Sequence, residues 1–169
     1  VYVSYYETIN EDKQELLIEL RNAFIKRDIE EANIKDETKF FQYMAFLAAQ
    51  TGNMLNANEL TKSVGVNRKT LENYTLTLQK CFHIDLVKPF FRNIKKELKK
   101  MPKVYFLDNG MRNTLLRQFN PLHLRTDQGQ LLENYIFNRL TEKYALEAVQ
   151  YWRTASQAEI DFIVHDEYS

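Results

Sequence analysis

The spacing of apolar residues changes along the chain, and each change marks an element. Over 11–35, "EDKQELLIELRNAFIKRDIEEANIK", Leu16, Leu17, Leu20, Phe24 and Ile25 approximate helical spacing, with charges on the other faces. "TKFFQYMAFLAAQTG" predicts a second helix with a wide stripe of Phe40, Phe41, Met44, Leu47 and Ala48, and Gly52 as its stop. In "LNANELTKSVGVNRKTLENYTLTLQKCFHI", Asn56 followed by Glu59 reads as a capping box opening a short helix that carries Leu60. Gly65 suits a tight turn, because only glycine takes positive φ without steric cost. Asn67 then caps a longer helix. Its Leu71, Tyr74 and Leu78 point one way, while Asn67, Arg68, Lys69, Glu72, Asn73 and Thr77 stay polar. Two helices joined by a short Gly-containing turn match helix-turn-helix spacing.

After it, "IDLVKPFFRN" and "PKVYFLD" read as strands separated by "IKKELKKM". A hairpin directly after a recognition-type helix is the wing of a winged helix. "NGMRNTLLRQFNPLHLRTDQ" reads as a short helix and a connector. "GQLLENYIFNRLTEKYAL" is an amphipathic helix with Leu132, Tyr135, Ile136 and Leu140 as its expected buried row. The chain closes on "AVQYWR" and "EIDFIV", two strands around the turn "TASQ". In the second, Ile160, Phe162 and Val164 share one face, and Glu159, Asp161 and Ile163 the other.

Composition narrows the class. Across 169 residues the hydrophobic fraction is 44% and the aromatic fraction 13%, enough for a packed core. Four glycines and three prolines favour helices over a loop-rich fold. Net charge is zero, so any polyanion partner has to be read from local charge. Locally, Lys88, Arg92, Lys95, Lys96, Lys99, Lys100 and Lys103 are opposed between 88 and 103 only by Glu97. Lysines on a hairpin contact phosphates without reading sequence. They also protect a sheet edge from pairing with another chain. The single Cys81 excludes an internal disulfide and fits a reducing compartment. No apolar run approaches the ~20 residues of a membrane span. "VYVSYYETIN" lacks the order of a signal peptide and an initiator Met, so a piece of a longer cytoplasmic protein is expected.

The candidate chemistry is acidic. A helical Glu133 beside a strand Asp161, with Glu159 nearby, is the kind of set that holds a divalent metal for phosphodiester cleavage. Charged residues are mostly exposed, so the plainer expectation is that Glu133 caps or pairs with Arg153 while Glu159 and Asp161 face water. His165 and Asp166 lie in a terminal tail and add little to a metal set. His83 and His123 read as core or surface residues, Cys81 as buried, and Trp152 as packing. No G-x-x-x-x-G-K-[ST] occurs, so this stretch does not itself cradle ATP.

Taken in order, "FIKRDI", "FFQYMAFLAAQTGNMLNANELTKSVGVNRKTLENYTLTLQKCFHI", "PKVYFLDNGMRN", "GQLLENYIFNRL" and "YWRTASQAEIDFIV" resemble the C-terminal module of bacterial and archaeal AAA-like P-loop ATPases, a domain of unknown function. The resemblance runs from about Lys26 to Val164. It implies an ATP- and Mg-binding domain upstream and no cofactor in this stretch. It also implies three segments: 1–37 as the helical tail of the ATPase lid, 38–107 as a winged helix, and 108–169 as a linker and truncated restriction-endonuclease-like unit. In that pattern Glu133 takes the helical acid position and Asp161 the strand acid position. The acid-x-Lys strand expected beyond them is missing before Ser169.

The resulting expectation is a mainly helical α+β chain, a winged helix-turn-helix followed by an incomplete nuclease-like helix-strand-strand unit. Its expected role is recognition within an ATPase, with double-stranded DNA or a protein as partner, no membrane, and an oligomer left open. DNA contact would fall on Asn67, Arg68, Lys69, Asn73, Arg92, Lys95, Lys96, Lys99 and Lys100. The rivals are a metal-dependent nuclease using Glu133 and Asp161, and a winged-helix transcriptional regulator.

Overall fold

Polar caps and glycine set the ends of the helices. The computed structural model describes residues 10–90, 101–154, 156 and 158–165. Helix α1 (Asn10–Glu31) leads to α2 (Glu37–Ala49), whose N-cap Asp36 accepts from the Lys39 backbone N–H. Asn56 opens α3 (Ala57–Val64) by accepting from the Asn58 and Glu59 N–H groups. Gly65 closes α3 in the left-handed region at φ 69°, where a side chain would be strained. Asn67 then opens α4 (Arg68–Lys80) by accepting from Thr70 N–H.

Strand β1 (Ile84–Val87) pairs antiparallel with β2 (Lys103–Phe106), Ile84 opposite Phe106 and Val87 opposite Lys103. The other edge of β2 is joined by the segment after α2. There Gly52 N–H donates to Val104 O and Leu55 N–H to Pro102 O, at 2.9 and 2.8 Å. Helix α5 (Asn109–Leu116) packs on α1 and α2. Helix α6 (Gln128–Thr141) packs on β2 and α5. Strands β3 (Val149–Arg153) and β4 (Glu159–Val164) form a second antiparallel hairpin, with a register shift between Gln150 and Trp152. The two hairpins are stitched together past the end of β1, where Tyr151 N–H donates to Lys88 O and Phe90 N–H to Tyr151 O.

The fold is thus a mainly helical α+β arrangement with two small antiparallel sheets among the described residues. Strand β2 is buried on both faces and divides two cores. Val104 and Phe106 face the helical core with Phe40, Met44, Leu47, Leu71 and Leu78. Tyr105 faces the second core with Val87, Phe137, Val149 and Tyr151. Burying each such side chain contributes roughly 1.5–3 kcal/mol. No helix among the described residues is long and apolar enough to cross a membrane.

Two expectations need correction. On α6, Leu132, Tyr135 and Ile136 are 55%, 52% and 41% exposed, whereas Asn134 and Phe137 are fully buried and only Leu140 of the expected row packs inward. The reason is polar. Asn134 Oδ1 accepts from Phe106 N–H and its Nδ2 donates to Phe106 O, both at 2.8 Å, so α6 turns to complete the β2 backbone. On α4, Thr77 is buried, and the exposed face carries Leu76 instead.

Candidate functional site

The alternation of β2 places Lys103 and Tyr105 on one face, toward the C-terminal hairpin. Lys103 is 2% exposed, and a buried ammonium requires counter-charge. Three carboxylates supply it from two elements. Glu133 of α6 lies 3.2 Å from Nζ, and Glu159 and Asp161 of β4 lie 2.5 and 2.9 Å away. Tyr105 donates its hydroxyl to Glu133 Oε1 at 2.6 Å, and Arg153 reaches the second oxygen of Glu159 at 3.2 Å. The ring of Tyr151 sits 5.5 Å from the Lys103 ammonium.

Burial opposes the charge on Lys103, but the hydrogen bonds to Glu159 and Asp161 and the field of Glu133 outweigh it and raise its pKa. It therefore stays an ammonium at neutral pH. Burial, and then the bond to Glu133, raise the Tyr105 pKa, so the phenol stays protonated and donating.

The structure brings Glu133, Glu159 and Asp161 together, as a nuclease-like unit would. It also places a cation among them that sequence reading assigned to the basic prong. Glu133 pairs with Lys103 rather than Arg153, and Glu159 and Asp161 turn onto Lys103 rather than solely toward water. Among the described residues no group of three or more His, Cys, Asp or Glu is arranged to hold a metal ion. The three acids meet instead on the Lys103 ammonium.

A second polar knot supports α6. Arg125 donates to both oxygens of Asp127 at 2.8 Å, and the fully buried Arg112 bridges Asp127 and Thr51. The bonds from Arg125 hold the Asp127 carboxyl well below the usual carboxylate range. His83 is buried against Asp28 of α1, with 2.5 Å between Nε2 and Oδ2. Cys81, expected inside, is half-buried. His123 and His165 are exposed.

The other candidate surface is α4. Asn67, Arg68, Lys69 and Asn73 are exposed in one outward row, and Arg68 pairs with Glu72 at 2.9 Å. Arg92, Lys95, Lys96, Lys99, Lys100 and Asp166 lie outside the described residues.

The chain belongs to the family described as "Domain of unknown function (DUF8612)", whose model matches residues 4–122. Residues 128–169, which supply α6 and the C-terminal hairpin, match a second model, "Domain of unknown function (DUF4143)". Two curated relatives are the uncharacterized protein Rv2008c of Mycobacterium tuberculosis and the uncharacterized protein Mb2031c of Mycobacterium bovis. Each is 27% identical over 145 residues, covering 84% of this chain and 33% of the relative. The match therefore spans about a third of the length of these relatives. No solved structure matches.

Proposed function

We propose that this member of the family is a recognition module of a larger protein, contacting double-stranded DNA through α4 without cutting it. The outward face of α4 carries the reading. Arg68, Lys69 and Asn73 are presented to solvent while Leu71, Tyr74 and Leu78 anchor the helix from behind. Two capped helices, a Gly65 turn and a hairpin strengthened by the segment at 52–55 are the parts of a winged helix. Such a unit lays its second helix in the major groove and its hairpin along the backbone.

The larger protein is read as an AAA-like ATPase that binds ATP and Mg²⁺ in a separate domain. The resemblance of "PKVYFLDNG" and "YWR…EIDF" to such C-terminal modules supports this. So does the length of the relatives, of which the match covers only a third, leaving room in them for a nucleotide-binding domain.

A metal-dependent nuclease is the second reading, favoured by the meeting of Glu133, Glu159, Asp161 and Lys103. It requires Mg²⁺ to displace an ammonium that already touches all three acids. The cluster serves better as a clamp holding α6 and β4 onto β2.

Titrating a labelled mixed-sequence duplex by fluorescence anisotropy tests the proposal. The slope of log affinity against log salt should be about −4 to −6, for four to seven phosphate contacts. R68Q/N73A should weaken binding at every salt concentration. Salt-independent binding, or none in ~50 mM salt, overturns the DNA reading. Mg²⁺-dependent nicking that disappears in D161A would establish the nuclease instead.

A further inference from the structure

We infer that the cleft between the α1–α2 connection and the start of α4 is a phosphodiester site, which seats the backbone of the duplex that α4 reads. This rests on the DNA-contacting proposal and adds residues outside α4 to it.

The cleft has a volume of about 510 Å³, within the ~300–1,000 Å³ typical of ligand sites. Three lysines from three places in the chain line it. Lys35 comes from the α1–α2 connection, Lys39 from the first turns of α2, and Lys69 from α4. Lys35 and Lys69 are exposed, and among the described residues neither forms an ion pair. The Lys39 ammonium donates to Gly65 O at 2.9 Å, which fixes it beside the turn and leaves further donors available.

The one lining carboxylate, Asp36, is engaged by Lys39 and leaves the charges of Lys35 and Lys69 uncompensated within the lining. Its Oδ1 accepts from Lys39 N–H at 3.0 Å as the cap of α2, and its Oδ2 lies 3.9 Å from the Lys39 ammonium. Asn33, Asn67 and Asn73 supply neutral hydrogen-bonding groups around the rim. The lining therefore carries net positive charge and several donors, chemistry that suits a phosphodiester. Asn67, Lys69 and Asn73 belong both to this cleft and to the outward row of α4, so the two surfaces are continuous. A strand lying in the cleft would run beside the groove that α4 enters.

The test repeats the salt titration on the full chain with K35Q and with K35Q/K69Q. K26Q serves as a charge-matched control, on the exposed Lys26 of α1 away from the cleft. Each phosphate contact contributes about 0.9 to the slope. K35Q should lower the slope by about 1 and the double variant by about 2, with affinity at 0.1 M salt falling roughly tenfold or more for the double. K26Q should leave the slope within about 0.3 of the original, and near-UV circular dichroism should be unchanged in all. If K35Q matches K26Q while R68Q/N73A still weakens binding, the cleft inference fails and the α4 reading stands. If K35Q lowers the slope while R68Q/N73A has no effect, the cleft stands and the α4 reading fails. If the unaltered chain does not bind duplex, both fall.

Discussion

Lys103→Met removes the ammonium from the cluster but keeps an unbranched apolar stem of similar length against Tyr151. Three charge-assisted contacts are lost, to Glu133, Glu159 and Asp161 at 3.2, 2.5 and 2.9 Å. Breaking a buried ion pair by deleting one partner costs about 3–5 kcal/mol, because the remaining charge is left uncompensated. Here the acids are unequal. The Glu133 and Glu159 side chains are 21% and 27% exposed, whereas that of Asp161 is 55% exposed and largely screened by water. Arg153 also stays with Glu159, and Tyr105 with Glu133. The expected loss is therefore at the lower end, about 3 kcal/mol at pH 7. For a chain of this size that is a fall of roughly 6–12 °C in Tm.

Its dependence on the neighbouring acids separates this mechanism from ordinary core damage. In the unaltered chain the Lys103 pKa is raised, so its contribution is complete below the ordinary lysine value of about 10.4. It is lost only as pH climbs through the higher folded value. From pH 6 to 9 that contribution should be flat. In K103M the three acids repel one another at neutral pH. Urea unfolding followed by circular dichroism at pH 6, 7 and 9 measures the gap and its flatness. Adding E159Q to K103M should restore about 1 kcal/mol, since it removes one of the repelling charges. A gap below about 1 kcal/mol at pH 7 refutes the reasoning, as does a failure of E159Q to restore any stability in the K103M background.

Gly52→Ala should destabilise by about 2–3 kcal/mol, because φ is +78° and the new Cβ would stand 2.8 Å from the Glu133 carboxylate. Thermal unfolding measures this, and its effect should be non-additive with K103M since both act through Glu133. Asn134→Ala should cost about 2–4 kcal/mol in urea unfolding, as it leaves the buried Phe106 N–H and C=O without their partner. Asn134→Asp should be similarly damaging, because it keeps the acceptor but loses the donor to Phe106 O.

What was legible in the sequence was what local chemistry decides. Asn56, Gly65 and Asn67 act within a few residues of themselves, so the ends of α3 and α4 follow from the sequence and appear as expected. The inward row of α4 follows from its period. The pairing of Glu159 and Asp161 on one strand face is likewise local, and both do reach the same ammonium. What it did not show was which of several amphipathic arrangements the tertiary contacts select. Helix α6 has apolar residues on two sides, and counting them favours Leu132, Tyr135 and Ile136. The fold selects the side with Glu133, Asn134 and Phe137, because Lys103 and the Phe106 backbone need polar partners there. Leaving those groups unpaired would cost about 1–3 kcal/mol each, and more for the charged Lys103.

Lys103 illustrates how the remainder was hidden. In the sequence it is the last member of a run of lysines, and charge counting groups it with its neighbours. The distinguishing signal was the strand alternation in "KVYF". Val104 and Phe106 demand one core, so Lys103 and Tyr105 share the opposite face, where a tyrosine that large is rarely left to solvent alone. A lysine on a buried face needs acids, and among the described residues Glu133, Glu159 and Asp161 are the carboxylates brought onto that ammonium. The same acids that suggested a metal site were therefore also the answer to an unasked question about Lys103. An acid cluster found by spacing alone should first be tested against the buried cations of neighbouring elements, because a lysine meets the electrostatic demand that a metal would.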